Sequence, residues 1–308
     1  GIVEKELKWF ETYLFHRQQH VCYENTNSDV SFIERGVPQG SILGPLLFML
    51  FYNDLVYKLH DVKIIKFADD TALYYASESF NNIENVVNNA LNNLYDYFYE
   101  NELVINLKPG KTEAMLFGTS KRLKQNPEKL HLKYNGKDIN FTTNYKYLGT
   151  ILDPTLNLKD NFRKTYKKVS SRLKMLYNIK EILSSKVRKK IYTTMILPLL
   201  TYHCTVDLTF TEWKLAKLKS VDNRAFQIIS EDLNTPNSLS SIKRHAVLLV
   251  RRCLDGSVCS NFRNYFKIMN SLQVTRNNGV LIELPKCNLE FGKKGFYFMP
   301  AKLYNALP

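Results

Sequence analysis

Two adjacent carboxylates, Asp69 and Asp70, stand in the turn Phe67-Ala68-Asp69-Asp70. Paired carboxylates that are held still suit a hard divalent cation. Mg²⁺ takes oxygen ligands in tight octahedral geometry, and proteins usually hold it with one or two carboxylates together with substrate phosphates. What would hold this pair is the sequence on either side. Val62, Ile64, Ile65 and Phe67 before the turn, and Thr71, Leu73, Tyr74 and Tyr75 after it, are β-branched, aromatic or apolar, and predict the two strands of a hairpin. The same four residues also fit a solvated, Asp-rich surface turn.

A second stretch lies upstream. Gly36-Val37-Pro38-Gln39-Gly40-Ser41-Ile42-Leu43-Gly44-Pro45 runs directly into Leu46-Leu47-Phe48-Met49-Leu50-Phe51-Tyr52-Asn53-Asp54. Three glycines and two prolines in ten residues demand a specified backbone path. The glycines let a ligand or a nucleic-acid backbone approach closely, Pro45 suits the first turn of a helix, and Ser41 is placed to cap it. The apolar run that follows predicts a buried helix. A plain Gly/Pro loop before a core helix satisfies the same residues.

Taken together, GVPQGSILGPLLF and FADDT resemble the reverse transcriptase family, in which a Pro-Gln-Gly loop precedes an aromatic-x-Asp-Asp hairpin of the palm domain. The wording looks like the LINE class of non-LTR retrotransposons, and within it the jockey-like branch. The resemblance implies an α+β fold: a right-hand palm, with an antiparallel sheet and helices, then a helical thumb and a C-terminal extension. The expected division is a partial palm at 1–155, a basic helical thumb at 156–235 and the extension at 236–308. Gly1-Ile2 looks like the end of a Tyr-Gly-Ile stretch that follows the family's first catalytic aspartate, so the fingers and the first palm motif are expected to be missing. Asp29 and Asp61 lack the strand context that such an aspartate needs.

The implied activity is RNA-directed DNA polymerisation by two-metal nucleotidyl transfer. Its partners are an RNA template, a DNA primer and deoxynucleoside triphosphates, with two Mg²⁺ ions in the complete enzyme, or Mn²⁺ in their place. By resemblance, Asp69 is the main metal ligand and Asp70 the auxiliary one. Gly36, Pro38, Gln39, Gly40 and Ser41, with Phe67, shape the nucleotide and template pocket. Arg35 fits either a phosphate contact or a solvated strand end. Asn101 to Thr112 resembles the next motif, with Glu102 where the family has Gly, and Lys111 matches the lysine that assists the departing pyrophosphate. Tyr145 to Asp153 resembles the primer grip, carried by Tyr147, Leu148 and Gly149. This chain alone is expected not to polymerise. The alternative is a catalytically dead, truncated element product that only binds RNA or RNA–DNA duplex.

Charge separates the chain into halves. Residues 1–155 hold 16 Lys/Arg against 19 Asp/Glu, whereas residues 156–308 hold 27 against 10, within a formal net charge of +14. A polyanionic partner fits the second half. Residues 158–192 carry 12 Lys/Arg with only Asp160 and Glu181 as acids. There Phe162, Tyr166, Val169, Leu173 and Leu176 form an apolar stripe at helical spacing, opposite Arg163, Lys164, Lys167 and Lys174. A single-sign face of this kind neutralises nucleic-acid phosphates without reading sequence.

The remaining elements follow from periodicity. Residues 3–17 predict an amphipathic helix packed on a core, and His20 to Tyr23 with Val30 to Ile33 a hairpin around Asn25 to Asp29. Ile83 to Phe98 predicts a helix covering the palm sheet, Glu113 to Phe117 a further strand, and Leu123 to Glu128 a polar linker. Helices are expected from near Ser185, kinked or ended by Pro198, and over Trp213 to Ile229. The five cysteines are scattered and read as reduced intracellular thiols; a zinc site from Cys253, Cys259 and His203 has poor spacing. No signal peptide opens the sequence and Ile42 to Tyr52 is too short to span a bilayer. A nuclear and cytoplasmic protein is expected, without membrane contact and not secreted; oligomeric state is left open.

Overall fold

The computed structural model describes residues 3–125, 130–202, 208, 211–229, 237–258, 262, 264–269, 281–287, 290–293, 295 and 297–307. The fold is mixed α+β. It divides into two compact units, one of residues 1–116 with 120–142, the other of residues 117–119 with 143–308. The Tyr145 to Asp153 stretch, expected to close the first domain, therefore groups with the helical unit.

The first unit opens with α1 (Glu4–Leu14), which forms as its spacing predicts but buries no residue. Trp9 stacks on Tyr13 at 5.3 Å along the helix itself, so the expected core packing is corrected to a solvated face. A double hairpin follows. β1 (Arg17–Gln19) pairs with β4 (Ser31–Ile33), and β2 (Cys22–Tyr23) with β3 (Thr26–Asn27). Its tip is at Glu24 and Asn25, short of Asn25 to Asp29, because Glu24 takes the positive φ of 53°.

Next comes α2 (Gly44–Phe51), with Pro45 in its first turn. It was expected to be buried, yet only Gly44 is, and Leu50 is 60% exposed. Hydropathy reports what a helix would bury, and no described neighbour covers this one's outer side. The hairpin β5 (Lys63–Phe67) and β6 (Asp70–Tyr74) is antiparallel, in the register Lys63↔Tyr74 to Phe67↔Asp70. α3 (Phe80–Glu100) is capped by Ser79, whose hydroxyl accepts from the Asn82 N–H. It buries Ala90, Leu91, Leu94, Tyr97 and Phe98 against Tyr52, Leu55, Leu59 and Val62, together with Leu132, Tyr134 and Ile139.

Two expectations in this unit are corrected. Glu113 to Phe117 is not a strand: a single bridge joins Ala114 to Phe141, made by Ala114 N–H to Asn140 O and Thr142 N–H to Ala114 O. The predicted linker begins as a short helix, α4 (Ser120–Lys124), and its residues Asn126 to Glu128 lie outside the described residues. β7 (Lys133–Tyr134) and β8 (Lys137–Asp138) form another small hairpin. Among the described residues every sheet is two-stranded and antiparallel, so the expected palm sheet is present only as separate hairpins.

The second unit begins with β9 (Tyr145–Tyr147) paired to β10 (Thr150–Leu152). Then α5 (Lys159–Asn178) buries Phe162, Val169, Leu173 and Leu176, the predicted stripe. α6 (Ser185–Ile191) starts where expected, with the Ser184 hydroxyl accepting from Val187 N–H. The regular α6 ends before Pro198, and the helical path continues past it. A π-helical turn at Tyr192–Ile196 precedes α7 (Leu197–Thr201), so the proline falls in a first turn, where its missing N–H costs little. α8 (Glu212–Ile229) and α9 (Ser238–Leu254) complete a core with Leu218, Val221, Ala225, Ile242 and Ala246. Val250, Cys253, Phe266, Ile282 and Ala301 form a smaller cluster. His203 and Cys259 of the weighed zinc site, and the Gly1-Ile2 match, lie outside the described residues. No described helix is long and apolar enough to cross a membrane.

Candidate active site and nucleic-acid interface

The acidic turn is set by the pairing Phe67↔Asp70, which leaves Ala68 and Asp69 as its two connecting residues. Ala68 takes the left-handed φ of 52°. Asp69 and Asp70 are both exposed. Strand alternation sends Ile64 and Leu73 into the core, while the opposite face keeps Ile65 and Tyr74 half exposed and Phe67 64% exposed. Among the described residues no group of three or more His, Cys, Asp or Glu could hold a metal. The two carboxylates fit a hard divalent cation that retains water and takes further ligands from substrate phosphates.

The rung beneath the turn, Lys66↔Thr71, points inward to Tyr52. The Tyr52 hydroxyl lies 3.0 Å from Thr71 Oγ1; Lys66 Nζ donates to the carbonyls of Tyr52 at 2.8 Å and Asn53 at 3.2 Å, and lies 5.2 Å from the Tyr52 ring centroid. Beside them Tyr97 donates to Asp54 Oδ1 at 2.5 Å and to Phe51 O at 3.3 Å. Burial raises the phenol pKa of Tyr52 and of Tyr97 and lowers that of Lys66, which the Asp54 charge partly restores. Asp54, Tyr52, Lys66 and Tyr97 were not singled out from sequence. Each side chain is ordinary by itself, and only the packing of three elements brings them together.

The upstream loop is held at both ends. Arg17 donates from Nη2 to the carbonyls of Arg35 at 3.1 Å and Gly36 at 2.5 Å, and the Ser41 hydroxyl accepts from Gly44 N–H at 3.0 Å. Ser41 thus meets the first helical N–H from two residues before the N-cap, which is Leu43 and has no side-chain cap bond, so the expected Ser41 cap is corrected to this contact. A Cβ on Gly44 would lie 2.8 Å from Ser41 Oγ, so a side chain there would displace the contact. Gly36, Gln39 and Gly40 are exposed, with Pro38 and Ser41 half-buried.

The end of α3 resolves the Glu102 substitution. Leu103 N–H bonds Phe98 O at 2.8 Å and Glu102 N–H bonds Tyr99 O at 3.2 Å, the two bonds of a Schellman cap, with Glu102 at φ 55° where Gly is normally found. Glu102 keeps the turn and pairs with Arg35 at 3.1 Å on the surface. Lys111 follows on an exposed turn, with its N–H on Lys108 O at 3.0 Å.

In the second unit, Leu148 and Gly149 connect β9 to β10 with φ of 45° and 86°. Positive φ at both central residues is the pattern of a tight I′ hairpin, for which Gly149 carries no steric cost. Tyr202 donates to Leu148 O at 3.1 Å, and a Cβ on Gly149 would lie 3.4 Å from its ring. Tyr147 is half-buried. Below the hairpin, Asn161 Oδ1 accepts from Ile151 N–H at 3.0 Å. Asp153 gathers the N–H groups of Thr155, Asn157 and Leu158 and the Thr155 hydroxyl. Burial opposes its charge, but these four donors outweigh it and hold the carboxyl below its usual range.

The basic face is on α5. Arg163, Lys164, Lys167 and Lys174 are exposed opposite its buried stripe, and Arg163 to Lys174 covers about 16 Å of helix. α8 adds cations that sequence reading passed over. Lys217 and Arg224 lie 5.1 and 5.7 Å from the Tyr166 ring centroid, and Arg224 Nη2 reaches Tyr166 Oη at 3.2 Å and Ser170 Oγ at 3.1 Å. Burial would raise the Tyr166 phenol, yet hydrogen bonds from Ser220 and Ser170 and the charges of Arg224 and Lys217 leave it lowered. Arg163 stands 5.9 Å over the Trp213 ring.

Residues 2–152 match the family described as reverse transcriptase (RNA-dependent DNA polymerase). The chain is 27% identical over 281 residues to a probable RNA-directed DNA polymerase from transposon BS of Drosophila melanogaster, covering 80% of this chain and 30% of that protein. It is 27% identical over 226 residues to the RNA-directed DNA polymerase from mobile element jockey of Drosophila funebris, covering 70% and 24%. The X-element polymerase of Drosophila melanogaster is 23% identical over 236 residues. The chain thus spans less than a third of the length of these curated relatives. Residues 2–152, which hold the Pro-Gln-Gly loop and the Asp-Asp hairpin, form a reverse transcriptase domain, and the chain is similar to the RNA-directed DNA polymerases of jockey-like non-LTR elements.

Proposed function

We propose that this chain is the palm and thumb portion of an RNA-directed DNA polymerase, with the acidic turn as its catalytic centre and α5 as its hold on the template–primer duplex. The observation that carries the reading is the antiparallel hairpin with Asp69 and Asp70 exposed at its turn, downstream of a loop fixed at both ends. Asp69 and Asp70 would hold divalent cations, Mg²⁺ or Mn²⁺. When bound, such ions activate the primer 3′-hydroxyl and offset charge on the leaving pyrophosphate. The chain's own residues do the rest. Gly36, Pro38, Gln39, Gly40 and Ser41 line the nascent base pair with Phe67, and Lys111 supports the pyrophosphate. Tyr147, Leu148 and Gly149 seat the primer end. Arg163, Lys164, Lys167 and Lys174 neutralise backbone phosphates.

This reading includes a need for further chain. The outer face of β5–β6 is apolar and its edges are unpaired among the described residues, which suits an added strand that brings a third carboxylate. The second reading, a product that only binds RNA or RNA–DNA duplex, is favoured for this chain alone by the lack of a third described metal-ligating group beside Asp69 and Asp70. Primer extension on a primed RNA template with Mg²⁺ separates the two. The expected result is incorporation only by a protein extended upstream, abolished by Asp69→Asn. Duplex binding without incorporation by either protein would establish the second reading.

A further inference from the structure

We propose that Tyr52, Lys66 and Thr71 form a staple that positions the Asp69–Asp70 turn and couples it to the Gly36–Ser41 loop. This inference rests on the metal-binding reading of the turn. The geometry is economical: both members of one hairpin rung, Lys66 and Thr71, engage the same residue, Tyr52, which caps the C-terminus of α2. That rung is the last before the pair Phe67↔Asp70, so its placement sets where the carboxylates project. A two-stranded hairpin is marginal by itself and more strongly twisted than a wider sheet. Ile64 and Leu73 give it apolar adhesion, which is non-directional. The staple supplies the missing direction through a hydroxyl pair and a charged donor on two carbonyls.

The anchor point is also chemically apt. The last carbonyls of a helix have no partner within it and carry partial negative charge. At the end of α2 Tyr97 takes Phe51 O, and just past it Lys66 takes the carbonyls of the cap residue Tyr52 and of Asn53, which opens a 3-10 helix of Asn53–Lys58. Asp54 receives the Tyr97 hydroxyl and faces the Lys66 charge. The opposite end of α2 is tied to the loop through Ser41 and Gly44. One short helix of Gly44–Phe51 therefore connects the loop that would touch the base pair to the turn that would hold metal. A displacement of the loop by substrate would be passed to the carboxylates along a rigid element, without contact between the two.

Tyr52→Phe and Thr71→Val each remove the hydroxyl pair and keep the shape of the core, and Thr71→Ser restores a hydroxyl. Amide hydrogen exchange of the 308-residue chain is expected to quicken about fivefold at the Phe67–Asp70 turn in the first two variants, with α3 unchanged and Thr71→Ser at the wild-type rate. No change at the turn, or an equal change through α3, would overturn the staple. In the upstream-extended protein, Tyr52→Phe is expected to raise the Mg²⁺ concentration for half-maximal incorporation while the primer–template KM stays constant. An unchanged Mg²⁺ requirement, in a wild-type protein that does incorporate nucleotides, would overturn the positioning role alone. An extended wild-type protein that incorporates nothing, or one indifferent to Asp69→Asn, overturns the metal-binding reading and the positioning role with it.

Discussion

The two units solve the problem of apolar surface in opposite ways. In the helical unit most of the apolar stripe of α5 is used: Val169, Leu173 and Leu176 are at most 2% exposed, against α7, α8 and the π-helical turn before α7. In the first unit the most apolar segment of the chain, α2, leaves Leu46, Met49, Leu50 and Phe51 about half exposed, and β5–β6 does the same with Ile65 and Phe67. Hydrophobic burial secures the helical unit, which would hold a duplex. The first unit has its own apolar core around α3, but polar contacts from Lys66, Tyr52 and Tyr97 fix the acidic hairpin against the end of α2. The difference teaches that an apolar sequence predicts a need for a partner and not where the partner is.

The sharpest way to break that contrast is a pair of truncations. Leu173→Ala is expected to cost about 3–5 kcal/mol, because it empties a filled site, whereas Leu50→Ala is expected to cost under about 1 kcal/mol. Urea unfolding of both variants measures this, and equal losses would mean that α2 is covered after all.

Asp153 comes next. Asp153→Ala removes the acceptor shared by four donors at the entry to α5 and is expected to cost about 1–3 kcal/mol. The pH dependence has a definite sign. The folded-state pKa is depressed, so the contribution is complete above the ordinary Asp range and is lost as pH falls through the folded value. The slope of stability against pH should differ between the wild type and Asp153→Asn in that window alone, with the wild type the more stable above it.

The smallest effect has the opposite sign. Glu102 occupies a left-handed position that strains any residue with a Cβ. Glu102→Gly is expected to stabilise the first unit by about 0.5–1 kcal/mol, since the exposed Arg35 pair it sacrifices is worth little. Thermal unfolding tests this, and a loss of stability would show that the ion pair outweighs the strain.

What could be read from sequence follows the same division. α3 and α5 were legible because a 3.6-residue period and, for α5, a one-signed face are properties of the segment itself. The Asp-Asp hairpin was legible because alternating β-formers flank a polar turn. The exposure of α1 and α2 was not, since burial belongs to a pair of surfaces. Glu113 to Phe117 has strand-like residues but finds one bridge, at Ala114. The Schellman cap was obscured because its usual Gly is Glu102, and Lys66 gave no signal because its role exists only once β5 lies against the end of α2.

On the proposed function, chemistry and duplex hold reside on separate units. The direct measurement is a paired one in the upstream-extended protein: duplex affinity against salt, together with the saturating rate of incorporation, for Asp69→Asn and for Lys167→Gln. The account predicts that Asp69→Asn abolishes incorporation with affinity intact. It predicts that Lys167→Gln weakens binding, lowers the salt slope by about one, and keeps the saturating rate. If Asp69→Asn loses duplex affinity with its activity, or Lys167→Gln lowers the rate at saturation while the salt slope stands, the division of labour is wrong.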